Sequence, residues 1–439
     1  MAFKRRLKFD KRIKHKKRMD RLFILVIVCF AFLGIGYSYI STSLNINGTA
    51  NVTAASWDVH FDNLNVTTGS VTATTPADIT SDTTVEFAAT LEEPGDFYEF
   101  TVDVENGGTM DAMIDDFGIS PELTSDQQKY LEYTITYSDG VELEEKQELK
   151  QGTTETLKVR FSYIENEDKT NYPTEDQTFN IEFTVTYTQA NEDAIVLDHS
   201  FNGHSWGVII ANVRSGNTDI YNIGDTKEID MGTFGTHTLR VANKSTPTEC
   251  STAGFSQTAC GFVLEFTDLI TEYRMNPYNP SSLAAVNGNK GGWPASQMRT
   301  YINSDIYDAL PSELKNGIID TIVVSGHGNT TGETNFTSTD KMYLPSTKEM
   351  YGKEGTTNII DEDTAEAETR QLDYYNSQNL TTSNYAGAIK KYNESNVYWW
   401  LRSAQSTNDA RFYYVGTDGN CTTSNSPTPR GVSPAFRIG

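Results

Sequence analysis

No HExxH pair, no GxxxxGK[ST] loop and no GxGxxG turn after a strand occurs in the 439 residues, and GxSxG occurs once, as Gly203-His204-Ser205-Trp206-Gly207, where Ser205 is placed to cap a helix. Each missing motif removes the local signature of a reaction class: zinc proteolysis, nucleotide hydrolysis and dinucleotide binding. A Ser-His-Asp set would be assembled in space rather than in sequence, and nothing in the chain argues for one. No catalytic residue and no cofactor are therefore assigned. Cysteine is scarce, with four residues and no CxxC, so no metal ligand set is assigned either. Cys250 and Cys260 flank the loop-like "STAGFSQTA", Cys29 lies in an apolar run and Cys421 stands alone. In an exported domain a Cys250–Cys260 disulfide is expected; the alternative is three free thiols.

Basic residues are also scarce beyond the start of the chain. The first 21 residues hold 11 Lys/Arg against Asp10 and Asp20, which leaves 24 basic and 57 acidic groups for the rest. A body this acidic repels a phosphate backbone, so nucleic acid is excluded as a partner. One long uncharged apolar run exists, Leu22 to Ile40, directly after the basic block. Nineteen residues at ~1.5 Å each span roughly a bilayer core. The basic flank fixes that side as cytoplasmic. Residues 1–21 are thus expected to be cytoplasmic and 22–40 a signal anchor, or a secretory leader if cleaved. Either way the remainder is exported. Internal "LPSTK" lacks the Gly of a sortase signal and "FRIG" is not an apolar tail, so anchoring is expected near the N-terminus.

From about 44 to 190 the apolar residues alternate. Trp57, Val59 and Phe61 do so, as do Val85, Phe87, Ala89 and Leu91, then Phe100, Val102 and Val104. Leu131 to Tyr137, Leu157 to Tyr163 and Phe179 to Tyr187 repeat the pattern. Alternate strand residues face opposite ways, so each run buries one face. With "EEPGD", "ENGG" and "YSDG" as turns, at least six strands predict an all-β antiparallel sandwich. "GIGYSYISTSLNINGTANVTAASWDVHF" followed by "EPGDFYEFTVDVENGGTMDAMI" resembles the leader-plus-sandwich modules of exported Gram-positive proteins, distantly similar to the TasA and camelysin group.

A linker over 191–200 leads to 201–439, where helical and strand patterns mix irregularly, as in an α+β domain. Ser205 is placed to cap a helix with Trp206, Ile209, Ile210 and Val213 on one face. "PASQMRTYINSDIYDAL" predicts a helix with Met298, Tyr301, Ile302, Ile306 and Leu310 inward, and Pro311 opens a short second one. Ser346 and Glu349 match a capping box. The acidic stretch with Asp361, Glu362, Asp363, Glu366 and Glu368 predicts a solvated helix start. His199 and His204, bracketing "SFNG", read as polar loop residues, with part of a metal site as the alternative, and His327 in "SGHGN" reads as a turn. Asp418-Gly419 predicts a hairpin.

"YWWLRS…FYYV…DGN…GVSPAFRIG", preceded by "WPASQMRTYINSDIYDALPSELKNGIIDTIV" and "DKMYLPSTKEMYG", closely resembles the bacterial domain of unknown function 6273, over about 198–439. By analogy the ending is similar to the C-type-lectin-like fold, which carries no activity with it. The residues themselves set the expectations for a site. Arg402 and Arg437 are candidates for gripping a carboxylate, or for pinning terminal strands to a buried acid or carbonyl. Alternation puts one of Trp399 and Trp400 in the core and exposes the other, where with Tyr398 and Tyr413 it suits sugar stacking. Trp399, Trp400, Arg402, Tyr413 and Arg437 are thus the candidate ligand contacts, beside loops 403–411 and 416–430. The expected protein is a single-pass or secreted surface protein of a Gram-positive-type cell. A non-catalytic binding domain sits on a sandwich stalk, and its partner is a glycan or a surface protein. The alternatives are an envelope enzyme and a matrix subunit assembled through sheet edges.

Overall fold

The computed structural model describes Arg21 and residues 54–439, except 167, 174, 176, 178, 279–287, 330–333 and 353–368. The Leu22–Ile40 run and most of the basic block lie outside the described residues. So does the acidic stretch 361–368. Among the described residues no helix is long and apolar enough to cross a membrane. Everything below belongs to the compact unit Ser56–Gly439.

Two antiparallel sheets enclose the first core. One runs Val59–Val66, Phe97–Asn106, Thr154–Tyr163, Leu131–Tyr137 in spatial order. The other runs Ala73–Ser81, Thr84–Ala89, Phe179–Gln189, Ala112–Ser120, Glu148–Leu149. The alternation decides which faces meet: Tyr98, Phe100, Val102 and Val104 point in from one sheet, Ile181, Phe183 and Val185 from the other. Phe61 meets Phe183 at 5.8 Å and Phe87 meets Phe100 at 5.3 Å across the gap. Trp57, expected inward, is 44% exposed because pairing begins only at Val59. Two strands carry no alternation that sequence reading finds. Ala73–Ser81 is an edge strand holding Pro76, where a missing N–H costs no ladder bond. Ala112–Ser120 breaks its own period with a register shift between Ile114 and Asp116.

The second core is built from short elements. One sheet joins Thr226–Asp230, Thr236–Asn243, Val263–Phe266 and the last strand, Ala435–Arg437. Another joins Thr271–Tyr273, Arg430–Val432, Trp399–Ala404, Arg411–Val415 and Cys421–Asn425. Helices are few and short, fewer than an even α+β mix implies. Ser205 caps Trp206–Ser215 by accepting from the Val208 N–H, and Gly216 closes it in the left-handed conformation. Trp206, Ile209 and Ile210 face inward. Met298, Ile302, Ile306 and Leu310 are buried as the spacing predicts, although the backbone widens to a π-turn over Ile302–Ile306. The Ser346–Glu349 capping box is closed in both directions.

Cys250 and Cys260 form a disulfide. It closes a loop of sequence separation 10, for which loop-closure entropy gives about 2–3 kcal/mol. The double variant Cys250→Ser/Cys260→Ser is expected to melt several degrees below wild type. An unchanged melting temperature would show the loop is held by its packing alone.

Candidate functional site

One face of the five-stranded sheet gathers aromatic rings around a cation. Cross-strand register sets the group. Trp400 lies opposite Tyr414, Tyr414 opposite Thr422, and Tyr273 opposite Arg430. Tyr398, two residues before Trp400, falls on the same side as strand alternation requires. The Arg430 guanidinium carbon sits 3.7 Å over the Tyr414 ring, 4.8 Å from Tyr398 and 5.5 Å from Trp400. Its Nη2 donates to Ser424 Oγ at 2.9 Å. Its buried Nε–H has no partner among the described residues. Burial lowers the Arg430 pKa, while Tyr414 and Tyr398 work the other way. Tyr398 meets Tyr414 edge-on at 5.5 Å, and Tyr273 stacks on Tyr301 at 4.0 Å with ring planes 10° apart. Tyr398 is 45% exposed, and Tyr273, Tyr301, Tyr414 and Arg430 are partly so. The result is a shallow surface of phenol faces and phenol hydroxyls around the Arg430 guanidinium, whose Nε–H lies buried beneath it.

Of the residues singled out from sequence, Trp400 lies on this face but is buried, and the other four sit elsewhere. Trp399 and Trp400 are both fully buried, so neither offers a ring to a ligand. Trp399 lies on the opposite face, where its Nε1 donates to the Ala388 carbonyl and the Lys390 ammonium stands 4.7 Å over its ring. Trp400 is on the aromatic face but covered by Tyr398, Tyr414 and Arg430, and its Nε1 donates to the Tyr273 carbonyl. Tyr413 is buried, its neighbour Tyr414 taking the outward place. Arg437 belongs to the other sheet, paired at Val263, and is half-buried beside Gly261. The five candidates are not brought together. In the sequence, the outward parity of Tyr398 and the Asp-Gly hairpin pointed to the Tyr398–Tyr414 face. What sequence lacked was the cross-strand register.

Arg402 is an internal clamp. Its two terminal nitrogens grip Glu349, Nη1 to Oε2 and Nη2 to Oε1, each at 2.5 Å, and Nη1 also reaches the Leu344 carbonyl at 2.9 Å. Burial acts to raise the Glu349 carboxyl; the Arg402 charge outweighs it and holds the group below the usual range. A second buried set joins Lys390, Glu265, Arg240 and Tyr375. Lys390 Nζ donates to Glu265 Oε2 at 2.8 Å, Arg240 Nε to Oε1 at 2.8 Å. Loop 403–411, expected as a variable contact loop, is pinned: the buried Asn289 amide reaches the carbonyls of Gln405, Asn408 and Arg411.

The strand run that builds the face is also the part of the chain with a family signature. Residues 269–439 match the model of the domain of unknown function DUF6273. No curated protein matches the chain. The match begins later than the 198 or so read from sequence. It takes in Tyr273, Tyr301, Tyr398, Tyr414 and Arg430, so the whole aromatic face belongs to the DUF6273 region. It also takes in Lys390 and the Arg402–Glu349 clamp, while Glu265 and Arg240 lie before it.

Proposed function

We propose that this is an exported, N-terminally anchored surface protein whose DUF6273 region binds carbohydrate on the Tyr398–Arg430–Tyr414 face. The observation that carries the reading is the Tyr398 ring, 45% exposed and set edge-on to the partly exposed Tyr414, with the Arg430 guanidinium packed against both. Sugar rings stack their C–H faces on aromatic planes while their hydroxyls take hydrogen bonds from the surrounding polar groups. The excess of acidic groups over the body of the chain favours a neutral glycan over an anionic one. The sandwich then acts as the stalk. The Cys250–Cys260 disulfide supports an oxidising, exported setting, as do the basic block and the Leu22–Ile40 run. The C-type-lectin-like assignment belongs to the same proposal, and the return of the last strand to an early sheet supports it.

The test is binding of the full chain to an array of neutral and charged glycans, repeated with Tyr398→Ala and Arg430→Met. Binding-face residues of this kind cost upwards of about 1–2 kcal/mol when truncated, so roughly tenfold weaker binding or worse is expected. Tyr398 is exposed enough that its loss leaves the fold intact. Binding to no glycan, or binding indifferent to both substitutions, refutes the proposal. Capture of a protein ligand by the same face would move the function to protein recognition.

A further inference from the structure

Where the sandwich meets the second core, three metal-competent side chains converge from distant parts of the chain. Asp139 sits in the turn after Leu131–Tyr137. His199 and His204 come from the segment 191–204, whose Ile195 runs beside the sandwich, bonded to the Lys146 carbonyl and the Glu148 N–H. Asp139 Oδ2 lies 2.5 Å from His199 Nδ1 and 3.0 Å from His204 Nε2. One potential ligand atom from each residue falls within a 4.8 Å group. His204 is buried with no exposed side-chain surface, Asp139 nearly so, and His199 keeps 29% of its side chain open.

The outer contacts are those that a metal site needs. His204 Nδ1 is held at 2.9 Å by the Tyr221 hydroxyl, so its Nε2 is the atom turned to the centre. The Asn212 amide bonds both that hydroxyl and the Asp139 carbonyl. His199 turns Nδ1 inward, and its Nε2 looks toward Glu155 Oε2 at 3.9 Å. The second oxygen of Asp139 accepts from the Val141 N–H. His204 and Asp139 are thus oriented from behind by hydrogen bonds, the arrangement that fixes a ligand's aim in metal centres, while His199 faces a carboxylate beyond bonding distance. A cavity of about 590 Å³, lined in part by Gly140, Val141, Leu197, Gly203 and His204, opens alongside, and the cluster itself meets solvent through the part-exposed His199.

We propose that Asp139, His199 and His204 bind a zinc ion that fastens the sandwich to the second core, with water as the fourth ligand. Two imidazoles and one carboxylate suit zinc better than calcium or magnesium, which prefer all-oxygen sets. Ligand distances of about 2.0–2.2 Å require the three groups to part by less than about 1 Å. On binding, the ion replaces the protons that the rings now direct at Asp139, and Nδ1–H of His204 donates to Tyr221. Sequence alone leaves His199 and His204 between a polar loop and part of a metal site, because their partner is 60 and 65 positions away.

The experiment uses the full chain, stripped with chelator and refilled with zinc alone. Bound zinc is measured by elemental analysis and affinity by competition with an indicator. Wild type is expected to take up one zinc per chain and to melt higher with it. His199→Ala, chosen because His199 is part-exposed, should still fold by circular dichroism. Its zinc affinity should fall by more than the roughly 10–100-fold that loss of even an outer partner costs. His60→Ala, a surface control in the sandwich, should bind as wild type does. Stripped wild type that takes up no zinc overturns the proposal. So does a His199→Ala variant that binds zinc as tightly as wild type.

Discussion

Glu349→Ala is expected to destabilise the protein by about 3–5 kcal/mol, the cost of leaving one member of a buried ion pair without its partner. Arg402 and Glu349 are 1% and 0% exposed at their side chains, so solvent cannot take over either charge. The carboxylate also accepts from Thr369 Oγ1, from the Thr258 hydroxyl and from the Ser346 N–H at the helix cap. Arg402→Met is expected to cost a similar amount. The double variant Arg402→Met/Glu349→Leu should cost less than the sum, since no charge is then stranded. Part of the loss will remain, because Thr258, Thr369 and Ser346 lose an acceptor. Urea unfolding followed by tryptophan emission measures this, because Trp293, Trp399 and Trp400 are all buried in the second core. A cost of Glu349→Ala below about 1 kcal/mol, the range of exposed pairs, would refute the clamp. The folded carboxyl is held below its usual pKa, so the pair's contribution is present above pH 4.5 and fades as pH falls through the lowered value.

The same pair shows what sequence reading reaches. The capping box at Ser346–Glu349 was legible because its two residues are three apart and the helix geometry does the rest. That Glu349 also meets Arg402, 53 positions away, was not, because no local rule chooses between one buried acid and another. Strands followed the same division. Alternating Phe100, Val102 and Val104 announce a half-buried strand, whereas Ala73–Ser81 is mostly polar and held by its neighbour's ladder. At the candidate face, alternation separates Trp399 from Trp400 but says nothing of what lies over either. A strand face is exposed only if no other side chain covers it, and Tyr398 and Arg430 cover Trp400. The exposed aromatic of the motif is therefore its first tyrosine rather than one of its tryptophans.

Glu265→Ala should be at least as damaging as Glu349→Ala, because it strands two cations instead of one. Lys390 and Arg240 share this carboxylate, which has no exposure. Without it, Lys390 keeps the Phe266 carbonyl, the Ser433 hydroxyl and the Trp399 ring, and Arg240 keeps Tyr375 and the Tyr374 ring, none of them an anion. The expected loss is about 5 kcal/mol or more, at the upper end of broken buried pairs. Lys390→Met should be milder, since Glu265 retains Arg240. The two variants are separated further by pH. Burial drives the Lys390 pKa down to about 8 from 10.5, against the upward pull of Glu265. Between those values the unfolded chain holds more protons than the folded one, so this group makes stability rise with pH. Tyr343, Tyr351 and Tyr375 are shifted upward by burial, so their ionisation in the unfolded chain reverses the slope above pH 10. From pH 8 to 10 wild type is therefore expected to gain stability relative to Lys390→Met. Unfolding curves collected across that interval provide the measurement. A constant difference between the two proteins would mean that Lys390 holds its proton throughout, and that Glu265 outweighs burial at this site.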